Sequence, residues 1–421
     1  MCKLYLYLCF MLMAFITTAQ ADDVVVTPIV EPSSNITLAD ALSLALNANP
    51  EIAVASRERE AIEGVRKQAA ARLNPTISAL LEDTRNATRQ TTILLEQPIE
   101  LGDKREARML AAETRYNAAS VSLEVKRSEI QANVIVAFYE VLAAQERLRL
   151  AQSSLDVAKQ AREAVSKRVQ AGKISPVEET KSRVAEASIK IEANRASSIL
   201  INARKRLTGL WGNSLPRFQI AEGQVEEVPD AMPLDNLTVM LEGSPNIQRA
   251  KLEISTRQAL ANVENSKRTP DLTVSVGAKR NEELGLNQAV LGVSIPILVF
   301  DRNQGNLQEA LSRTEKAKDE LTALRVQQQT LLAEAHERLI SARQSVETLK
   351  SDILPGAQSA FDAATKGFEF GKFGFLDVLD AQRTLVQAKS QYIDALLEAH
   401  QAMSDIERIL GKSINHSELK P

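Results

Sequence analysis

Residues 46–78 read LNANPEIAVASREREAIEGVRKQAAARLNPTIS, and residues 241–275 read LEGSPNIQRAKLEISTRQALANVENSKRTPDLTVS. In both stretches a proline opens a long polar and alanine-rich run, which favours a first helical turn there. In both, a second proline closes the run just before a short β-branched segment. The two prolines recur at one offset of 195 positions, in the pairs Pro50 with Pro245 and Pro75 with Pro270.

Two further pairs of segments extend this repeat. The segment QPIELGD (97–103) parallels IPILVFD (295–301) at an offset of 198, and Gly172-Lys173 parallels Gly371-Lys372 at an offset of 199. An offset that grows by a few residues is expected when loops differ in length between copies. A period near 195 residues is too long for a solenoid. The sequence therefore predicts a tandem duplication of one large structural unit.

Each copy shows the same predicted order of helix, two strands, long helix and return helix. The strand segments of the second copy alternate apolar residues with small or polar ones, which is typical of strands in a barrel wall, and the equivalent segments of the first copy alternate more weakly. The polar links between the paired strands read as exposed hairpin loops. The first repeat spans residues 37–207 with strands at 76–82 and 91–97, and the second spans residues 234–410 with strands at 271–279 and 288–295.

The long helices are the least ordinary feature of the chain. Residues 103–171 contain no glycine and no proline. An unbroken helix of that length spans roughly 100 Å. In the second copy we expect a helix from Asn306 to Leu354, an interruption at Pro355-Gly356, and a continuation to Phe370. The first return helix begins at the sequence SPVE (175–178), a capping-box pattern with proline at the first helical position.

The ends of the chain and the seam between the repeats differ from the repeats in composition. Residues 1–21 combine one lysine, an apolar run and small residues before the end, the pattern of a secretory signal peptide. Residues 22–36 follow as an N-terminal extension. Residues 208–233 are rich in glycine and proline and form the inter-repeat segment. Residues 411–421 form a C-terminal tail.

Composition excludes several functional classes. The chain has 421 residues with 51 Lys and Arg against 54 Asp and Glu, so a nucleic-acid partner is not expected. Both cysteines, Cys2 and Cys9, precede residue 10, which excludes a disulfide framework. The three histidines, His336, His400 and His416, are far apart, and we expect His336 to be exposed on a solvated helix. We predict no metal site, no cofactor and no catalytic residue, and hence no enzyme.

The number of strands sets the expected assembly. Four strands cannot close a barrel, because small closed barrels need about eight. Three chains would contribute twelve, an even number in the natural range. The alanine-rich helices would pack side by side around the same axis. Either these strands do not lie in a membrane, or several chains pool them. The fold class predicted is mainly α with a small β part.

At the residue level the chain resembles the TolC-type outer-membrane efflux factors. The resemblance rests on the order of the elements and on the second turn, GKFGFLDVLDAQRTLVQAK (371–389). Two stretches, QPIELGDKREAR (97–108) and PILVFDRNQGNLQEA (296–310), are similar to the branch that serves cobalt–zinc–cadmium (Czc-type) exporters. The resemblance covers nearly all of the chain after residue 21.

This resemblance implies a location, partners and a function. It implies a homotrimer in the outer membrane of a Gram-negative bacterium, with a 12-strand transmembrane β-barrel and a large periplasmic portion that forms an α-helical barrel. It implies docking to a periplasmic adaptor (a membrane fusion protein) and to an inner-membrane proton-driven pump, and passage of zinc, cobalt or cadmium to the exterior. The alternatives are organic drug efflux or protein secretion by the same fold, a periplasmic adaptor, and a structural coiled-coil protein.

The resemblance also implies two kinds of site residue. In the family, acidic residues after the second turn line the periplasmic aperture, and Asp377 and Asp380 match that spacing. Glu178 and Lys181 occupy the equivalent places in the first copy, so the lysine partly balances the charge. The alternative is a solvated helix start, where acids favour the helix dipole. The family's adaptor-contacting tips correspond to Gly172, Lys173, Gly371 and Lys372, which are turn residues on structural grounds alone.

Overall fold

The computed structural model describes residues 31–414. The predicted signal peptide, most of the N-terminal extension, most of the tail and His416 lie outside the described residues. Within residues 31–414, none of the helices combines the length and the hydropathy of a membrane-spanning segment. The elements in chain order are β1 (Asn35–Thr37), α1 (Leu38–Ala48), α2 (Pro50–Ala69), β2 (Thr76–Glu82), β3 (Gln90–Ile99), α3 (Lys104–Gln170), α4 (Pro176–Gly209), β4 (Ile220–Glu222), α5 (Leu234–Leu241), α6 (Pro245–Ser266), β5 (Leu272–Asn281), β6 (Leu286–Ser294), α7 (Gln304–Thr348), a π turn (Leu349–Ile353), α8 (Leu354–Glu369) and α9 (Phe375–Leu410).

This order confirms a mainly α chain in which a unit of helices and two strands occurs twice. The strands of both copies join one antiparallel sheet in the order β2–β3–β5–β6. Strands β3 and β5 each have 10 residues and β6 has 9, which matches the length of a membrane-crossing strand. The residues directly before the long helices, Asp103 and Asn303, are both left-handed with φ 57°. Their offset is 200, so the sequence pairing of Asp103 with Asp301 was wrong by two positions.

The second long helix differs from the sequence expectation. Pro355 does not interrupt it, because α7, the π turn and α8 follow one another without a gap. A proline removes one amide donor and crowds the carbonyl four residues before it. The wider π turn at Leu349–Ile353 lies directly before Pro355 and takes up this mismatch. The first copy has no such proline, and its helix α3 runs for 67 residues, about 100 Å.

The long helices pack as neighbours in one layer. Helix α4 packs on α3, α3 packs on α9, and α9 packs on α7 and α8. Closer to the sheet, α2 packs on α3, α3 on α6, and α6 on α7. The seams are rich in alanine, which lets helix backbones approach closely. Helix α4 with α2 therefore forms one edge of the layer, and α7 with α8 forms the other.

The inter-repeat segment is held by the start of the described chain. Strand β1 pairs in parallel with β4. The carboxylate of Glu31, which is 5% exposed, accepts hydrogen bonds from Trp211 Nε1, from Asn213 Nδ2 and from the backbone amides of Arg217 and Phe218. Four donors satisfy a carboxylate that would otherwise be costly to bury. This arrangement fixes the seam between the repeats against the middle of α3.

The two faces of the sheet differ in chemistry. Successive residues of a strand point to opposite faces, so neighbouring rows of paired residues report on the two faces. One row is apolar and largely exposed, and it consists of Ile77, Leu95, Val276 and Leu291, with exposed fractions of 77%, 44%, 48% and 82%. The next row is polar or small and consists of Thr76, Glu96, Ser275 and Gly292.

Candidate aperture at the helical tips

Two tight turns connect the long helices to the return helices. We call residues 171–175 the first tip and residues 370–374 the second tip. In the first, the Lys173 amide donates to the Arg168 carbonyl at 2.9 Å, and the Gly172 amide donates to the Val169 carbonyl at 2.9 Å. This pair of bonds is the Schellman motif, which ends a helix with a left-handed residue. Gly172 supplies that residue with φ 68°.

The second tip repeats the motif. The Lys372 amide donates to the Gly367 carbonyl at 2.8 Å, and the Gly371 amide donates to the Phe368 carbonyl at 3.0 Å. Gly371 has φ 73°. The side chains of both tip lysines are exposed, so the predicted residue pairs do form turns that present a cation to solvent.

The start of each return helix is capped differently. The Ser175 hydroxyl accepts from the Val177 amide at 3.3 Å, but Glu178 does not return the bond, so the predicted capping box is absent. Glu178 instead pairs with Lys181, with 3.0 Å between Oε1 and Nζ. In the second copy, the Asp377 carboxylate accepts from the Gly374 amide at 2.8 Å. This bond is half of a capping box, because glycine has no side chain to complete it.

The structure therefore places the four predicted aperture residues on the first turns of α4 and α9. Asp377 and Asp380 are both exposed, and no cation among the described residues forms an ion pair with either carboxylate. The first copy carries a neutralised pair at the equivalent positions, Glu178 with Lys181. The charge at this end of the described chain is consequently concentrated on the second copy.

The two tips are joined by an arginine that sequence reasoning missed. The guanidinium of Arg168 donates to the carbonyls of Phe368 at 2.7 Å and Glu369 at 3.3 Å. Its Cζ atom lies 4.1 Å from the centroid of the Phe368 ring, a cation–π contact. Beneath it, the helix ends of both copies share one apolar cluster that includes Val165, Ala185 and Phe375. The four predicted aperture residues therefore lie next to an apolar cluster that both copies share.

Exposed aromatic side chains at the second tip were also missed. The phenyl ring of Phe370 is 78% exposed and that of Phe373 is 49% exposed. Phe373 packs over Gly367, where an added Cβ would come within 2.1 Å of the ring. A compositional signal was available, because five of the ten phenylalanines of the chain lie within residues 361–375.

The expectation that His336 is exposed on a solvated helix is wrong. His336 and His400 are buried at 7% and 4% exposure. Each imidazole contacts a carbonyl of the inter-repeat segment through Nε2 at 3.0 Å, with Met232 for His336 and Val225 for His400. His400 also stacks on Tyr139 with ring centroids 3.6 Å apart, and burial raises the pKa of that tyrosine. The two histidines thus hold the inter-repeat segment in place. Residues 31–414 contain no group of three metal-ligating side chains.

Comparison with known proteins defines the class. The model of the outer membrane efflux protein family matches residues 41–213 and 237–412, so it covers both repeats. The chain therefore belongs to the outer membrane efflux protein family, whose members are channels of the outer membrane. Among solved structures, the outer membrane protein VceC from Vibrio cholerae has a similar fold, with a TM-score of 0.73, 18% identity, and coverage of 89% of this chain and 96% of that one.

Curated relatives place the chain within that class. The cobalt-zinc-cadmium resistance protein CzcC of Cupriavidus metallidurans is 47% identical and covers 91% of both chains. The nickel-cobalt-cadmium resistance protein NccC of Alcaligenes xylosoxydans xylosoxydans is 26% identical over 70% of this chain and 68% of its own. The resemblance to the heavy-metal branch of the TolC-type factors is thus confirmed, and the adaptor and coiled-coil alternatives are not supported.

Proposed function

We propose that this protein is the outer-membrane channel of a tripartite efflux system that passes divalent heavy-metal cations to the exterior. The observation that carries the proposal is the 47% identity to a cobalt-zinc-cadmium resistance protein along 91% of both chains. The second relative named above is also a metal-resistance protein. The role is transport, and we assign it no catalytic residue and no cofactor.

The free edges of the fold support a ring of identical subunits. In the sheet, β2 and β6 each have one unpaired edge, and an open edge is not tolerated inside lipid. In the helical layer, the edge formed by α4 lies on the β2 side, and the edge formed by α7 lies on the β6 side. Joining the unlike edges of successive copies is a heterologous contact that closes into a ring. Three copies with four strands each would give twelve strands.

The apolar side chains on these edges support the same assembly. On α4, Val177, Val184 and Ile191 recur every seven residues and are 58%, 62% and 65% exposed. They point away from the side of α4 that packs on α3. On the opposite edge, α7 exposes Val326 to 61% and Ile340 to 40%. Apolar residues spaced by seven are typical of one side of a helix–helix contact, and the helix that would cover them is missing in the single chain. We assign this partner to the next subunit.

The apolar face of the sheet supports insertion in lipid. The exposed row from Ile77 to Leu291 crosses all four strands, whereas the row beside it is polar or small. A wall with lipid on one side and water on the other requires this alternation. We assign the apolar face to the outer-membrane lipid and the polar face to the lumen.

We propose that Asp377 and Asp380 form the aperture at the periplasmic end. Two exposed carboxylates per chain and three chains give six, and no described cation neutralises them. A ring of carboxylates concentrates cations at a pore and repels anions. Glu178 and Lys181 would belong to the same ring as a paired, neutral element. Tight metal ligands are not needed, because tight binding slows passage.

We also propose that the tips contact a periplasmic adaptor, which in turn connects to an inner-membrane proton-driven pump. Gly172 and Gly371 expose backbone without a side chain, and Lys173 and Lys372 add cations beside them. The exposed rings at the second tip extend this surface. An adaptor with an apolar and acidic hairpin end would complement it.

Survival of a deletion strain tests the transported class. We expect loss of the gene to sensitise the cells to zinc, cobalt and cadmium, and the wild-type chain to restore growth. Nickel and a set of antibiotics form the other arms of the panel. Sensitivity confined to antibiotics would favour organic drug efflux by the same fold and overturn the metal assignment.

Planar-bilayer recording tests the aperture. The double variant Asp377→Asn with Asp380→Asn removes six charges from the trimer and keeps an oxygen that can accept from the Gly374 amide. We expect divalent cations to block the pore about tenfold more weakly, a change of about 1.4 kcal/mol. The matched control, Glu178→Gln with Lys181→Gln, removes a neutral pair and leaves block unchanged. Equal block in wild type and the aspartate variant would remove these residues from the aperture.

A further inference from the structure

The segment between β6 and α7, residues 295–300 (IPILVF), is the most exposed apolar segment next to the sheet; we call it the junction segment. Within it, the exposed fractions are 86% for Ile297, 58% for Val299 and 91% for Phe300. The Val299 amide donates to the Ile297 carbonyl at 3.0 Å, which closes a tight turn. The turn holds three large apolar side chains in solvent in the single chain, an arrangement that is costly in water.

The junction segment continues the exposed apolar surface of β6 beyond the last strand pair. Leu291 and Val293 of β6 are 82% and 70% exposed, and hydrogen bonding of the strand ends at Ser294. Ile295 follows it directly and is 53% exposed. The apolar pattern therefore extends past the strand at its helix-connected end, which is the periplasmic end in the proposed channel.

The first copy shows that the fold does not require such a segment. The corresponding connection in the first copy, residues 100–103 between β3 and α3, is closed by polar contacts. Glu100 pairs with Arg108, and the Leu101 amide donates to the Asp271 carboxylate at 3.2 Å. The apolar junction is thus a property of the second copy, and a reason for it has to come from outside the single chain.

Two arginines lie beside the junction segment. Arg268 and Arg302 line the same surface groove as Pro296, Ile297 and Leu298. Both arginines are exposed, and neither side chain forms an ion pair with a described residue. The neighbouring Asp301 carboxylate accepts instead from the Asn303 amide at 2.8 Å. Free guanidinium groups next to exposed apolar side chains match a phospholipid, whose phosphate lies just outside its acyl chains.

We propose that the junction segment is a lipid anchor that inserts into the periplasmic leaflet, and that Arg268 and Arg302 bind the phosphate of an anionic phospholipid there. The inference rests on the proposed function, because it takes the sheet as the membrane wall. A second copy of the chain is the competing occupant, because the segment joins β6 and α7, which carry free edges of the fold. The two guanidinium groups, which form no ion pair with a described residue, favour lipid, and the quenching measurement below distinguishes the two occupants.

Quenching by brominated lipid tests the anchor. The variant Phe300→Trp is reconstituted as the full channel in vesicles of phosphatidylcholine and phosphatidylglycerol, and the emission of the buried native Trp211 is subtracted using wild type. We expect chain-brominated lipid to lower the remaining emission by about half. The matched control Phe370→Trp places the same exchange at the second tip, at a ring that is 78% exposed, and stays unquenched.

A second measurement tests the arginines. We compare quenching when only the phosphatidylglycerol is brominated with quenching when only the phosphatidylcholine is brominated. In the Phe300→Trp variant, the ratio of quenching by phosphatidylglycerol to quenching by phosphatidylcholine should exceed the ratio of the two lipids in the vesicle. It should fall to the vesicle ratio when Arg268→Gln and Arg302→Gln are added. An unchanged ratio would overturn the phosphate assignment, and absent quenching would overturn the anchor. Conductance of the same vesicles reports on the channel separately, so a conducting but unquenched variant refutes the anchor alone.

Discussion

The exposed apolar row on α4, formed by Val177, Val184 and Ile191, is the proposed contact with the next subunit and is called the seam below. The change Val184→Asp tests it. In the single chain the Val184 side chain is 62% exposed and lies on the side of α4 opposite α3. Full burial of a valine contributes roughly 1.5–3 kcal/mol, so burying the exposed part contributes about 1–2 kcal/mol. With three interfaces, the trimer loses about 3–6 kcal/mol, before adding the cost of burying an unpaired carboxylate.

Native mass spectrometry of detergent-solubilised protein measures this change directly. We expect wild type to be trimeric and the Val184→Asp variant to shift towards monomer over a dilution series. The matched control is Lys190→Gln, which changes the charge by the same one unit at an exposed position on a different side of α4. Circular dichroism should show equal helix content in all three proteins, because Val184 does not belong to the core of the single chain.

Two results would refute this reasoning. A Val184→Asp protein that stays trimeric down to the lowest concentration would show that the seam is not between subunits. A variant that loses helix content as a monomer would show that the side chain supports its own chain instead. Dissociation of the Lys190→Gln control to the same extent would indicate a general effect of charge.

Three further changes test the tips and the seam between repeats. Gly371→Ala should lower the free energy of unfolding by about 1–2 kcal/mol, because alanine is strained at φ 73°. The control Gly356→Ala, inside a helix, should raise it by about 0.5–1 kcal/mol. Changes of the same sign in the two melting temperatures would contradict this. Glu31→Ala leaves four donors without an acceptor and should lower the free energy of unfolding by about 3 kcal/mol or more, with a red shift in Trp211 emission. The loss should be smaller in Glu31→Gln. Unshifted emission in the alanine variant would argue against the buried contact. Arg168→Lys keeps the charge but loses the planar stack on Phe368, so amide hydrogen exchange at the second tip should accelerate several-fold. Unchanged hydrogen exchange would show that this contact does not hold the tips together.

Local signals in the sequence were enough to predict most elements. Alternation placed β5 at 271–279, where the structure has Leu272–Asn281, and the repeat then placed β2 at 76–82, where the structure has Thr76–Glu82. Turn glycines located both tips, because a Schellman motif needs a left-handed residue and glycine provides it at low cost. These features depend on neighbours within a few positions, and such neighbours are visible in one sequence.

Contacts between residues far apart in sequence were not predictable in the same way. Arg168 reaches a carbonyl 200 positions away, and Glu31 reaches donors 180 to 187 positions away. The burial of His336 depends on a carbonyl of the inter-repeat segment, 104 positions before it. Periodicity on one helix does not reveal which neighbour covers a face. The predicted break at Pro355 was wrong because a π turn can absorb a proline without ending the helix.

The ion selectivity of the purified protein in a planar bilayer tests the central claim most directly. A zinc chloride gradient is applied across a bilayer that contains the wild-type channel, and the reversal potential is measured. A pore with unpaired carboxylates at Asp377 and Asp380 predicts a potential of the sign that marks zinc as the more permeant ion. An anion-selective pore, or a trimer that inserts but carries no zinc current, would contradict a metal-cation channel.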